Sequence, residues 1–103
     1  IDSSASERAA VIDELGIALN LQGDSEGALT QFKESLEIRK KLIRDSAAAE
    51  RDDYDFGLCV SLSKVGEMLE KRGDRKGALA SFEICEEIYM KRVAENKLPK
   101  VNL

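Results

Sequence analysis

An all-α chain of four helices, paired antiparallel and stacked as two copies of one unit, is predicted by three observations. The first is duplication. Leu15-Gly16-x-x-Leu19-x-x-x-Gly23-Asp24-x-x-Gly27-Ala28-Leu29-x-x-Phe32 returns as Val65-Gly66-x-x-Leu69-x-x-x-Gly73-Asp74-x-x-Gly77-Ala78-Leu79-x-x-Phe82, fifty residues later and without insertion. The second is periodicity: within each copy the apolar residues recur at steps of three and four, which places them on one face of a helix. The third is composition, since aromatics are only 5% and β-branched residues form no runs, which disfavours a sheet. A fixed period of this size marks a helical solenoid, a fold that binds partners on a surface.

The elements follow in order. Ile12, Leu15, Gly16 and Leu19 share a face of the first helix, and Ser4 followed by Glu7 has the spacing of a capping box. Gly23 supplies a backbone that can turn with positive φ, and Asp24 can accept from the free amides that open the next helix. Ala28, Leu29, Phe32, Leu36 and Ile43 form the stripe of the second helix. Its basic end, Arg39, Lys40, Lys41 and Arg44, suits the negative pole of the helix dipole and reads as solvated. The small and charged stretch from Asp45 to Asp53 carries the chain onward, with Ala47, Ala48 and Ala49 able to prolong the second helix. Leu58, Leu62, Val65, Gly66 and Leu69 then mark the third helix, Gly73-Asp74 the turn, and Ala78, Leu79, Phe82, Cys85, Ile88 and Tyr89 the fourth. The 103 residues thus read as one domain. It comprises a first unit at 4–45, a second at 54–95 and a tail at 96–103 that holds the single proline, Pro99.

The recurring small residues have a packing rationale. Gly16 with Ala28, and Gly66 with Ala78, would let two helix backbones approach closely, while Phe32 and Phe82 fill volume one turn on. A glycine inside a helix costs about 1 kcal/mol relative to alanine, so its presence in both units implies a steric reason.

Charge and composition remove several functions. A net charge of −4 argues against a phosphate backbone as the partner, because nucleic-acid binding is driven by Lys and Arg displacing counterions. A basic or mixed protein segment is favoured instead. No apolar run is long enough to span a bilayer and no charged-then-apolar leader is visible at Ile1, so a soluble, cytoplasmic chain is expected. A start at Ile rather than Met fits an excised or processed chain. Cys59 and Cys85 lie too far apart for a CxxC motif and stand where the other unit has Ala9 and Ser35, so they read as packed thiols in a reducing compartment. The chain has no histidine, which removes the commonest general base and the Ser-His and Cys-His nucleophile systems. Glu34 with Glu37, and Glu83 with Glu87, sit at ordinary helix-surface spacing. No catalytic residue, metal site or cofactor is expected.

The pattern Leu-Gly-x-x-Leu-x-x-x-Gly-Asp followed by Ala-Leu-x-x-Phe resembles the tetratricopeptide repeat, over roughly residues 9–43 and 59–93. The usual repeat has about 34 residues. The surplus here must lengthen the helices or the connection, in the manner of the long-helix forms found in kinesin light chains and many bacterial proteins, which end in a stretch like Leu36-Glu37-Ile38-Arg39. The small residue and proline that often close a unit are replaced by Ser35 or Cys85 and a continuing helix. The resemblance implies a right-handed superhelix acting as a non-enzymatic scaffold for protein–protein interaction, its inner surface lined by the first helix of each pair and binding a peptide or a partner's helix. The positions on those helices beside the core are Asp13, Ile17, Asn20, Leu21, Ser63, Glu67, Glu70 and Lys71. Asp13, Glu67 and Glu70 would favour neutral to basic segments. The family's clamp for a terminal carboxylate needs Lys and Asn where this chain has Asp13, Ile17 and Lys64, so that clamp is not expected. The alternative is structural: two units fall below the three usually needed to cover their apolar flanks. Val11 at one end and Ile84 and Tyr89 at the other would then favour stacking on further repeats or a homodimer.

Overall fold

The computed structural model describes residues 3–47 and 51–95, the side chains of 3, 52 and 53 excepted. The expected tail at 96–103 with Pro99, and Ala48 and Ala49 of the expected extension, lie outside the described residues. Four helices follow one another: α1 (Ser3–Leu21), α2 (Ser25–Arg44), α3 (Arg51–Lys71) and α4 (Arg75–Ala94). They run 19, 20, 21 and 20 residues, so the surplus over the usual repeat length lies in the helices.

The turn inside each pair is built from backbone chemistry that the two copies share. Gly23 has φ 89° and Gly73 φ 84°, the left-handed region in which a side chain would be strained. That conformation lets the Gly23 amide donate to the Asn20 carbonyl at 3.0 Å and the Asp24 amide to the Leu19 carbonyl at 2.9 Å, closing the end of α1 as a Schellman motif. Gly73 to Glu70 and Asp74 to Leu69 repeat both distances. The aspartate then starts the next helix: the Gly27 amide donates to Asp24 Oδ1 at 2.8 Å, and the Gly77 amide to Asp74 Oδ1 at 2.9 Å. One residue thus ends a helix with its amide and begins another with its carboxylate, which reverses the chain within a few residues.

Two local expectations are corrected. Ser4 lies inside α1 rather than ahead of it, so it is not the residue that caps the helix. The connection between the pairs is shorter than Asp45 to Asp53, because α3 already begins at Arg51.

The buried apolar cluster comes from α2 and α3 alone: Ala28, Leu29, Phe32 and Leu36 on one, Leu62, Val65 and Met68 on the other. Helices α1 and α4 contribute partly buried residues around it, Ile17 and Leu19 from the first, Cys85 and Ile88 from the last. Burying a Leu, Val, Phe or Met side chain stabilises by about 1.5–3 kcal/mol, so these residues of α2 and α3 make a large contribution to the stability of the fold. The outer helices are correspondingly open. Leu79 is 58% exposed where its counterpart Leu29 is 3%, and Leu15 is 48% exposed where its counterpart Val65 is 4%. Leu15, Leu79 and the exposed Tyr89 therefore belong to outward faces rather than to the core stripe read from the pattern. Val11 and Ile84 are exposed at the ends, as expected.

The helical glycines do have a steric reason, although not the one anticipated. A Cβ on Gly16 would stand 2.6 Å from Cε1 of Phe32, and one on Gly66 would stand 2.7 Å from Cε1 of Phe82. Each glycine makes room for an aromatic ring of the partner helix. Ala28 and Ala78 are buried beside these contacts.

Candidate functional site

Because successive helices reverse direction, α1 and α3 run parallel, and polar contacts tie the two turns together. Lys71 Nζ donates to Asn20 Oδ1 at 2.8 Å, and Arg72 Nη2 lies 2.9 Å from Glu26 Oε1. The turn ends of both pairs are therefore held at one level. There Asn20 is half-buried, Leu21 is 82% exposed, and Glu70 and Lys71 are exposed, with Glu67 one turn earlier also open to solvent. Among the described residues, neither Glu67 nor Glu70 has a cationic partner.

The remaining positions singled out on these helices face elsewhere. Ile17 packs against the core cluster. The Ser63 hydroxyl lies 3.6 Å from Cys85 Sγ, inside the second pair. Asp13 is only 8% exposed and is bonded to Arg39 Nη2 at 2.8 Å through Oδ2. The same guanidinium lies over Gly57 of α3, where a Cβ would stand 2.5 Å from Nη1. Two readings are corrected by this contact: Asp13 adds no open charge to the α1 surface, and Arg39 is not part of a solvated helix end. The pair holds by one bond, since Asp13 Oδ1 and Arg39 Nε are buried without a hydrogen-bond partner.

Each helix pair is also stitched at one level by a small polar or sulfur-bearing side chain. Ser35 Oγ donates to the Ala9 carbonyl at 3.2 Å and lies 3.4 Å from Ser61 Oγ, where α1, α2 and α3 meet. Cys85 Sγ takes the place of Ser35, 3.3 Å from the Cys59 carbonyl, and Cys59 Sγ lies 3.8 Å from the Cys85 carbonyl. Phe56, Cys59, Cys85, Ile88, Tyr89 and Arg92 line a shallow hollow of about 170 Å³ at this level. Burial pushes the Cys59 thiol up from 9.0 to about 11, with the neighbouring Cys85 and Asp55 adding to the effect and Arg92 opposing it. Such a thiol is protonated at neutral pH and is a poor nucleophile. The carboxylate pairs are plain surface groups: Glu34, Glu37, Glu83 and Glu87 are exposed, and Glu37 pairs with Lys40 at 3.4 Å. Among the described residues, no group of three or more His, Cys, Asp or Glu is placed to hold a metal ion, and no helix is long and apolar enough to cross a membrane.

The contact that sequence reasoning missed is Asp13 with Arg39. In an antiparallel pair the separation of facing residues grows with distance from the turn, from Gly16 with Phe32 to Ala9 with Ser35. Arg39 stands further from the turn than the level of Asp13, and it is the length of its side chain that brings the guanidinium to the carboxylate.

Residues 8–46 match a family model described as the tetratricopeptide repeat. Searches of curated proteins and of solved structures gave no match. Proteins of that family generally mediate protein–protein interaction or scaffolding and are generally non-enzymatic. The matched segment covers α1 from residue 8, the turn and α2, and α3 with α4 repeats its caps and its glycine-on-ring contact. The match supports a repeat of tetratricopeptide type over residues 8–46.

Proposed function

We propose that the chain is a non-enzymatic scaffold that takes a partner's peptide or helix along the side shared by α1 and α3, toward the turn ends. The observation that carries this reading is the bond from Lys71 to Asn20. It joins two parallel helices so that Asn20, Leu21, Glu67, Glu70 and Lys71 make one strip, with an open apolar side chain beside two carboxylates that lack cationic partners. An apolar anchor flanked by acidic groups suits a basic segment that carries one or two apolar residues, and charge complementarity of that kind acts on encounter and selectivity. Ile17 turns to the core cluster and Ser63 to Cys85, while Asp13 is spent on Arg39 and leaves the acidic character to Glu67 and Glu70.

The test needs a partner recovered with the chain as bait, followed by titration of the wild type and of Glu67→Lys with Glu70→Lys at low and high salt. Exposed charges are screened within about 10 Å at 0.1 M salt. The wild-type affinity should therefore fall with salt, and the double variant should bind about tenfold more weakly at low salt with unchanged helical content. Equal affinities in all four titrations would exclude this strip.

A further inference from the structure

The duplication makes the two ends of the molecule readable as two halves of a contact that already exists inside it. On α2, the face that α3 covers holds Leu29, Phe32, Ser35 and Leu36; fifty residues on, α4 holds Leu79, Phe82, Cys85 and Glu86. On α3, the face that covers α2 holds Leu58, Ser61, Val65 and Met68; fifty residues back, α1 holds Arg8, Val11, Leu15 and Ala18. The inner pair of faces is buried. The outer pair is not: Val11, Leu15, Ala18 and Leu79 are exposed, yet all four are apolar. Exposed apolar positions that keep the register of a buried seam mark an interaction surface.

We propose that α1 of one copy of this chain docks on α4 of a second copy in the place that α3 occupies on α2, joining chains head to tail. Two substitutions in the duplicated faces favour a second copy as the occupant. The seam is apolar at Leu36 and Leu58, which both pack in the central cluster. Their counterparts are Glu86 on α4 and Arg8 on α1, an acid and a base that are both exposed and sit on opposite sides of the proposed contact. At the level of the Ser35–Ser61 contact, the counterparts are Cys85 and Val11, so a polar pair gives way to an apolar one that needs no hydrogen bond. The hollow beside Cys59 and Cys85 lies between α3 and α4, next to the face the incoming helix would cover. Because the two surfaces differ, the contact is heterologous and one end of each chain stays available after docking, so assembly grows with concentration instead of stopping at a dimer.

This inference uses other residues than the binding strip, and its test separates the two. Leu15→Glu disables the α1 face and Leu79→Glu the α4 face; both positions are open in the monomer, so the variants fold, which circular dichroism verifies. Sedimentation velocity over a concentration series should show a ladder of species for the wild type and monomers for each variant alone. An equimolar mixture should give a 1:1 complex and nothing larger, because each variant keeps the face that the other lacks. Self-association of Leu79→Glu alone, or of Leu15→Glu alone, would mean a symmetric contact and overturn the proposal, as would a monomeric wild type or a mixture that forms no complex. Charge reversal tests the pairing: Arg8→Glu or Glu86→Arg should each weaken assembly about tenfold, and R8E combined with E86R should restore it. A double variant as weak as the singles would overturn the assigned register. Glu67→Lys with Glu70→Lys should leave assembly unchanged.

Discussion

Leu29 and Leu79 are the same residue at the same place in two copies of one helix pair, and so are Phe32 and Phe82, yet their surroundings differ. Helix α2 has a neighbour on each side, whereas α4 has α3 on one side and an open face on the other. Leu29 is buried and Leu79 exposed for that reason alone. The same holds in mirror image for Val65 on α3 and Leu15 on α1. The burial of a repeat's stripe is thus set by what stacks on it as much as by the stripe itself, which is the nearest-neighbour behaviour expected of a solenoid.

The largest expected effect follows from that comparison. Leu29→Ala removes side-chain volume from the central cluster and should cost about 2–5 kcal/mol, as buried Leu to Ala changes do. Leu79→Ala removes the same atoms from an open surface and should stay within about 0.5 kcal/mol at low protein concentration. Urea unfolding of both variants measures the difference directly. Equal costs at high dilution would break the comparison, because they would require α4 to be covered within the single chain.

The two pairs also differ in what holds them polar. In the first, Asp13 on α1 meets Arg39 on α2; the counterparts in the second are Ser63 and Tyr89. A sheltered ion pair held by a single bond gains little over its desolvation, but removing one partner strands the other. Asp13→Ser should therefore destabilise by about 2–3 kcal/mol, and D13S combined with R39Y, which installs the residues of the second pair, should recover part of the loss. A single variant as stable as the wild type would show that solvent reaches Arg39 freely in solution.

Next in size come the glycines. Gly16→Leu should force the Phe32 ring from its place and cost about 1–3 kcal/mol, the usual cost of overpacking. Gly66→Leu should cost less, because Phe82 is only half-buried and its ring can move toward the open face of α4. Thermal melts of the two variants rank them, and a reversed order would place the more rigid ring in the second pair.

Much of the fold was legible because it rests on local chemistry repeated twice. Gly23, Asp24, Gly73 and Asp74 announced the turns through a positive φ and a capping carboxylate, neither of which needs tertiary context. The start of α1 was less legible, since Ser4 and Glu7 have capping spacing but the helix begins before them. Which apolar residues are buried was only half legible: the pattern that marks Leu29 also marks Leu79, and only the number of neighbours separates them. The candidate surface was the least legible part. Asp13 occupies a position of the same helical face as Ile17 and Asn20, and its diversion into the first pair depends on Arg39 reaching over Gly57 from another helix.

The smallest effect concerns Cys59, which stands where the first pair has Ala9. Burial, the neighbouring Cys85 and Asp55 raise its pKa from 9.0 to about 11, with Arg92 working the other way. The folded chain therefore holds the thiol proton more tightly than the unfolded chain does. That contribution to stability is fully present below pH 9 and is lost as pH rises through about 11, because the unfolded state ionises first. The first pair has no titrating group at this level, so alkali should loosen the contact of α3 with α4 before that of α1 with α2. Cys59→Ala installs the residue of the first pair and should flatten the fall in stability over that pH range, while the rest of the alkaline profile remains. Labelling gives a second readout. At about pH 8 the thiolate fraction of Cys59 should be roughly a hundredfold lower in the folded chain than in urea, with iodoacetamide alkylation slowed accordingly. If wild type and C59A lose stability in parallel above pH 9, the thiol is solvated like a free cysteine and the two pairs do not differ at this site.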